Sequence, residues 1–171
     1  MSLSVAALLR LLRPHQWAKN LLVFVAVFTA HRYADASAWT AAAWLFAAFC
    51  LAASAIYVVN DAVDVVADRA HPDKSKRPFA RGALAPSSAW WITPMLLVAA
   101  ALAGTMLPVA AASTLAVYVA LSLAYTFAIK RMLWLDVLTL AALYVLRVAA
   151  GAFAIAVTLS PWLLGFALFL F

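Results

Sequence analysis

The stretch Asn60-Asp61-Ala62-Val63-Asp64-Val65-Val66-Ala67-Asp68 puts three carboxylates within eight residues. The rest of the 171-residue chain has only three other acids, Asp35, Asp73 and Asp136, and no Glu. At about 100° per residue, Asp61, Asp64 and Asp68 fall within roughly 60° of one another on a helix. Like charges stacked on one face repel, so such a face is expected where a cation sits. Carboxylates combined with substrate phosphate oxygens are the usual donors for Mg²⁺. The expected chemistry is metal-assisted work on a diphosphate or phosphate, with Asp61, Asp64 and Asp68 as metal ligands and catalytic residues. A solvated helix end carrying scattered acids is the bland alternative.

The segment that follows, Arg69 to Gly82, has two prolines, a glycine and five Lys or Arg, and reads as a loop. Lys74, Arg77 and Arg81 are candidates for phosphate oxygens not held by metal, Arg in bidentate fashion. Two or three of these charges would serve membrane topology alone. Upstream, Arg13-Pro14-His15-Gln16-Trp17-Ala18-Lys19-Asn20 leads into an apolar run. Arg, Trp and Lys there also suit interface anchoring, whereas Asn20 inside a bundle needs a partner. Farther on, Asp136, Tyr144 and Arg147 are spaced to share one helical face. An Arg in mid-span marks function or a structural charge pair.

The elements holding these residues are apolar helices. The chain is 69% hydrophobic and 11% charged, against about 45–50% and about 25% in soluble domains. A bilayer core of about 30 Å takes roughly 20 apolar helical residues. That ruler predicts spans at 20–34, 39–60, 88–106, 108–128 and 133–157, with a sixth starting at Ser160-Pro161. From there to Phe171 a helix covers only about 16 Å, so the sixth span is expected to be cut short. The fold class is an all-α polytopic transmembrane bundle in a single domain over 1–171.

Net charge is +6, which in a soluble protein suggests nucleic acid. Here ten of the twelve Lys and Arg lie before the first span, in 61–87 or at 130–131, all on alternating ends, and only Arg32 lies on the other side. Positive-inside topology explains them, with no nucleic-acid partner, and puts the N-terminus and the motif loop in the cytoplasm of a multi-pass cell-membrane protein. One cysteine, Cys50, excludes a disulfide framework. The first helix reads as retained, not as a cleaved leader.

With these motifs together, the chain resembles the UbiA superfamily of membrane prenyltransferases. The resemblance rests on Asn60 to Asp68, on His71-Pro72-Asp73-Lys74-Ser75-Lys76-Arg77-Pro78 through Gly82, and on Arg13 to Asn20. Tyr125, Lys130-Arg131, Leu135-Asp136-Val137, Leu146-Arg147 and Ala150-Gly151 agree. It is more similar to the branch containing decaprenyl-phosphate phosphoribosyltransferase than to the quinone-ring prenylating branch. The resemblance implies a nine-helix bundle around a laterally open cavity, in which two Asp-rich motifs hold Mg²⁺ and a diphosphate. Asn60, Asp61, Asp64 and Asp68 match the first motif, and the second is expected beyond Phe171. On that ground the 171-residue chain alone is expected to be inactive. Substrate and phosphate contacts are expected from Asn60, Lys19, Asn20, Lys74, Arg77, Arg81, Lys130, Tyr144 and Arg147.

The expected function is a Mg²⁺-dependent membrane transferase that acts on a polyprenyl phosphate or diphosphate lipid and a phosphate-bearing co-substrate, releasing diphosphate. Transfer of phosphoribosyl to polyprenyl phosphate leads. The alternative moves a polyprenyl group from its diphosphate to an aromatic or other ring. A cation transporter suits ionisable groups near the bilayer midplane, whereas these acids sit at a span's end beside a basic loop. A non-catalytic fragment or assembly partner is the remaining reading.

Overall fold

The computed structural model describes residues 5–170, and every regular element among them is helical. Helix α1 (Val5–Leu12) leads to a 3-10 stretch (Pro14–Phe24) that runs into the short α2 (Val25–Thr29). Helix α3 (Ala36–Val63) is followed by α4 (Val65–Ala70) and a loop of turns. Then come α5 (Ala89–Gly104), α6 (Val109–Phe127), α7 (Leu135–Ala154) and α8 (Pro161–Leu170). Four helices, α3, α5, α6 and α7, are long and apolar enough to cross a membrane.

Local chemistry sets several boundaries. Asp35 starts α3 by accepting from the backbone N–H groups of Ser37 and Ala38, as an N-cap carboxylate should. The Ser37 hydroxyl, then the Ala38 N–H and the Arg32 guanidinium, hold the Asp35 carboxyl well below the usual carboxylate range. Arg32 also donates to the Ile155 carbonyl at 2.5 Å, satisfying the end of α7 with a cation. Pro161 opens α8, where its missing N–H costs nothing.

Helix α3 lies at the centre. Leu45, Phe49 and Ala52 meet Val23, Tyr118, Leu143 and Ala150 in the main core. Farther along, Ala55 and Val58 join Leu11, Phe79 and Ile92 in a second cluster. Phe79 is fully buried, so the basic loop is pinned to the bundle and not loose in solvent.

The first expected span is not a regular helix over 20–34. It is the 3-10 stretch plus one turn and a half of α-helix. At about 2.0 Å per residue, eleven 3-10 residues reach about 22 Å, so the two pieces still rise about as far as a bilayer core. The winding has a reason. At three residues per turn, positions i and i+3 eclipse, so Trp17, Asn20 and Val23 stack on one side. Trp17 donates to Ser54, Asn20 donates to Cys50, and Val23 is fully buried in the core. Val23 also crosses α7 at Gly151, where an added Cβ would stand 2.2 Å from the Val23 carbonyl oxygen. Phe171, on which the expectation of a cut-short sixth span turned, lies outside the described residues.

Candidate functional site

Asp61 lies in the last turn of α3, Asp64 at the break between α3 and α4, and Asp68 within α4. The break turns the acids apart. Asp61 and Asp68 face the basic loop, where Arg77 Nη1 stands 3.3 Å from Asp61 Oδ1 and 2.7 Å from Asp68 Oδ2. Asp64 is turned to the far side, where Lys130 Nζ donates to both of its oxygens at 2.7 and 2.9 Å. Arg13 Nη2 completes the set, 2.5 Å from Asp61 Oδ1. Three carboxylates thus meet three cations drawn from three separate segments.

This differs from the single metal-ready face expected from helical spacing. Among the described residues no group of three or more His, Cys, Asp or Glu is arranged to hold a metal ion. The physical reason is charge: the chain's own Arg13, Arg77 and Lys130 neutralise the acids. The donor set nevertheless fits Mg²⁺. All three groups are hard oxygen ligands, and Asp61 Oδ2 is buried with no hydrogen-bond partner among the described residues. A buried acceptor left open in this way is uncommon and calls for an explanation.

Arg13 is held in the left-handed region, with φ 52° and ψ 58°, directly before Pro14. Non-glycine residues there, and α-type conformations before proline, are both disfavoured. Strain of this kind persists only where the surroundings impose it, and here the Asp61 contact and a Tyr57 ring 5.1 Å away fix the guanidinium.

Beside the acids a cavity of about 180 Å³ opens between α3, the 3-10 stretch, α6 and α7. Lys19, Asn60, Tyr144 and Arg147 line it together with Arg13. Arg147 is buried at 5% exposure. Its Nε donates to Asn20 Oδ1 at 2.9 Å, Nη1 to the Leu143 carbonyl at 2.5 Å, and Nη2 to the Tyr118 hydroxyl at 3.0 Å. The Tyr118 and Tyr144 rings lie 4.8 and 5.4 Å from the guanidinium. Asp136 does not meet it. That carboxylate instead accepts from the Val137 backbone N–H at the start of α7, because at a helix N-terminus it also faces the favourable end of the dipole.

Lys74 and Arg81 are exposed on the loop surface, away from the acids' ion pairs. Sequence reasoning treated Arg13 as an interface anchor and passed over Tyr118 and Ser122. A signal was present. Tyr118, Ser122, Tyr125 and Thr126 form a polar stripe at helical spacing on α6, and all four line the cavity.

A family model described as the UbiA prenyltransferase family matches residues 21–171. The chain belongs to the UbiA prenyltransferase family. Over 166 residues it is 41% identical to the decaprenyl-phosphate phosphoribosyltransferase of Mycolicibacterium smegmatis, covering 94% of this chain and 52% of that protein. The enzyme of the same description from Mycobacterium tuberculosis is 37% identical over 164 residues, covering 94% and 54%. The chain therefore spans about half the length of the curated relatives it matches. A UbiA homolog from Archaeoglobus fulgidus, solved bound to DMAPP and Mg²⁺, superposes with a TM-score of 0.83 at 21% identity, over 95% of this chain and 59% of that one. At that identity the likeness is one of UbiA fold.

Proposed function

We propose that this UbiA-family chain belongs to a Mg²⁺-dependent membrane transferase that moves a phosphoribosyl group from phosphoribosyl diphosphate onto a polyprenyl phosphate, releasing diphosphate. The observation that carries the reading is the joining of two features at one end of the bundle. One is an acid cluster whose charge is balanced by the chain's own Arg13, Arg77 and Lys130, and the other is a cavity whose charged lining residues are all cationic. The likeness to the mycobacterial phosphoribosyltransferases supports the choice of branch.

Asp61, Asp64 and Asp68 would hold Mg²⁺, which when bound supplies neutralisation of the charge that develops on the leaving diphosphate. Arg77 would exchange its carboxylate partners for diphosphate oxygens, with Lys130 and Arg13 completing the donor set. Lys19, Asn20, Asn60, Tyr144 and Arg147 would form the inner wall, while Lys74 and Arg81 act as an outer electrostatic funnel. Membranes carrying the chain continued to the full length of its relatives, given Mg²⁺, labelled phosphoribosyl diphosphate and polyprenyl phosphate, should form a lipid-soluble sugar product. That product should vanish in the Asp61→Ala, Asp64→Ala variant. Turnover solely of a prenyl diphosphate with a ring acceptor would overturn the assignment.

The motif end is proposed to face the cytoplasm. Supporting this, basic residues of three segments (Arg13, Arg77 and Lys130) converge on the acids there, while the opposite end carries the Arg32–Asp35 pair. A cysteine at the partly exposed loop position 75, introduced as Ser75→Cys with Cys50→Ser, should resist an impermeant thiol reagent in intact cells and react after lysis. Labelling in intact cells reverses the orientation.

A further inference from the structure

Arg147 carries a charge that no acid of the structure answers. The chain has six acids, and five pair elsewhere: Asp61 with Arg13 and Arg77, Asp64 with Lys130, Asp68 with Arg77, Asp35 with Arg32, and Asp73 with Lys76. The sixth, Asp136, forms no ion pair among the described residues and accepts from the Val137 backbone N–H in the first turn of α7. A buried charge without a counter-ion is costly, more so on a helix apolar enough to span a membrane. Arg147 has five N–H donors and three are in use, which leaves two uncommitted. Lys19, on the same cavity, likewise forms no ion pair among the described residues. One turn along α6 from Tyr118, Ser122 is buried at 4% exposure and lines the cavity, and its hydroxyl has no hydrogen-bond partner among the described residues.

We propose that Arg147, Ser122, Tyr118 and Lys19 form a second anion subsite that takes the terminal phosphomonoester of the lipid acceptor, separate from the diphosphate site at Asp61, Asp68 and Arg77. The proposal rests on the phosphoribosyl-transfer reading. Charge sets the ligand class. Two unanswered cations match a phosphomonoester dianion, whereas a carboxylate would leave one of them unbalanced. Size agrees, since about 180 Å³ has room for a phosphate headgroup. The uncommitted guanidinium hydrogens and the open Ser122 hydroxyl supply charge-assisted and neutral donors to the phosphate oxygens. The division also removes a conflict: two anionic groups at one set of cations would repel, and two sets let donor and acceptor be held together.

The test uses the 171-residue chain in detergent and measures affinity by calorimetry for three probes: farnesyl monophosphate, 4-hydroxybenzoate, and inorganic diphosphate with Mg²⁺. Arg147→Gln should weaken farnesyl monophosphate about tenfold or more. Ser122→Ala should weaken it about fivefold, and since that hydroxyl makes no hydrogen bond among the described residues the variant folds even if Arg147→Gln does not. Both should leave Mg²⁺-diphosphate affinity within about twofold, whereas Arg77→Gln should do the reverse. Unchanged monophosphate affinity in Ser122→Ala and in folded Arg147→Gln overturns the subsite, as does an equal loss for diphosphate. Dependence of 4-hydroxybenzoate alone on these residues overturns it in favour of a carboxylate. If monophosphate binding follows the prediction but no phosphoribosyl product forms in membranes carrying the chain continued to the full length of its relatives, the subsite stands and the assigned reaction falls.

Discussion

In an Asp68→Asn background, which removes the second buried carboxylate that Arg77 holds, the Arg13→Gln, Arg77→Gln double variant should lose about 3–5 kcal/mol of stability, the range for stranding a buried charge. Asp61 is 1% exposed, and the oxygen that is engaged, Oδ1, faces both guanidinium groups at 2.5 and 3.3 Å. Either single variant leaves one cation in place, so each should cost only about 1 kcal/mol. The double loss should therefore exceed the sum of the singles, the signature of coupled neighbours. Adding Asp61→Asn to the double variant should restore most of the lost stability, because the amide carries no charge. Unfolding in detergent followed by tryptophan fluorescence reads all of these variants. Additive singles, or no rescue by Asp61→Asn, would show that Asp61 does not depend on this pair of cations.

Gly151→Ala should destabilise by about 2 kcal/mol, although alanine is the better helix former by about 1 kcal/mol. The added methyl would sit 2.2 Å from the Val23 carbonyl oxygen, 3.0 Å from its carbon and 3.1 Å from its Cα. Every one of those atoms is backbone, so no side chain can rotate away. The 3-10 stretch must move off α7, and overpacking of this kind costs about 1–3 kcal/mol or more. The same movement separates Asn20 from Arg147, so ligand binding in the cavity should fall with stability. Gly104→Ala is the control: nothing lies within 4 Å of its added Cβ, and it should be neutral or stabilising. Equal effects at the two glycines would mean that α7 and the 3-10 stretch are not in contact as described.

These expectations rest on different kinds of information. Apolar runs and the clustering of basic residues depend on nearest neighbours and on counting, and they made the all-helical, multi-span architecture legible. The Asp61 to Asp68 motif was legible for the same reason, since three acids so close together in an acid-poor chain need no tertiary knowledge. Proline marked the helix start at Pro161, because a first-turn position does not need its missing N–H.

Side-chain partners were not legible, because they join residues far apart in the chain. Arg147 is 127 residues from Asn20 and 29 from Tyr118. The rule that residues eleven apart share a helix face pointed to Asp136, but helix-start geometry gave that carboxylate a nearer donor in its own backbone. The shared face of the three aspartates assumed an unbroken helix, and the chain breaks at Asp64. The 3-10 winding of 14–24 has no strong sequence mark beyond Pro14, since what favours it is the fit of Trp17, Asn20 and Val23 against α3 and α7.

The amino-acid sequence by itself determined that this chain builds apolar helices with an acid-rich, base-flanked end, because hydrophobic burial and charge clustering act over short separations. Only the tertiary structure decided which cation answers which acid, and that Arg147 is left with none. Those pairings depend on where packed helices bring side chains together, and burial makes the unanswered charge costly to leave without a ligand.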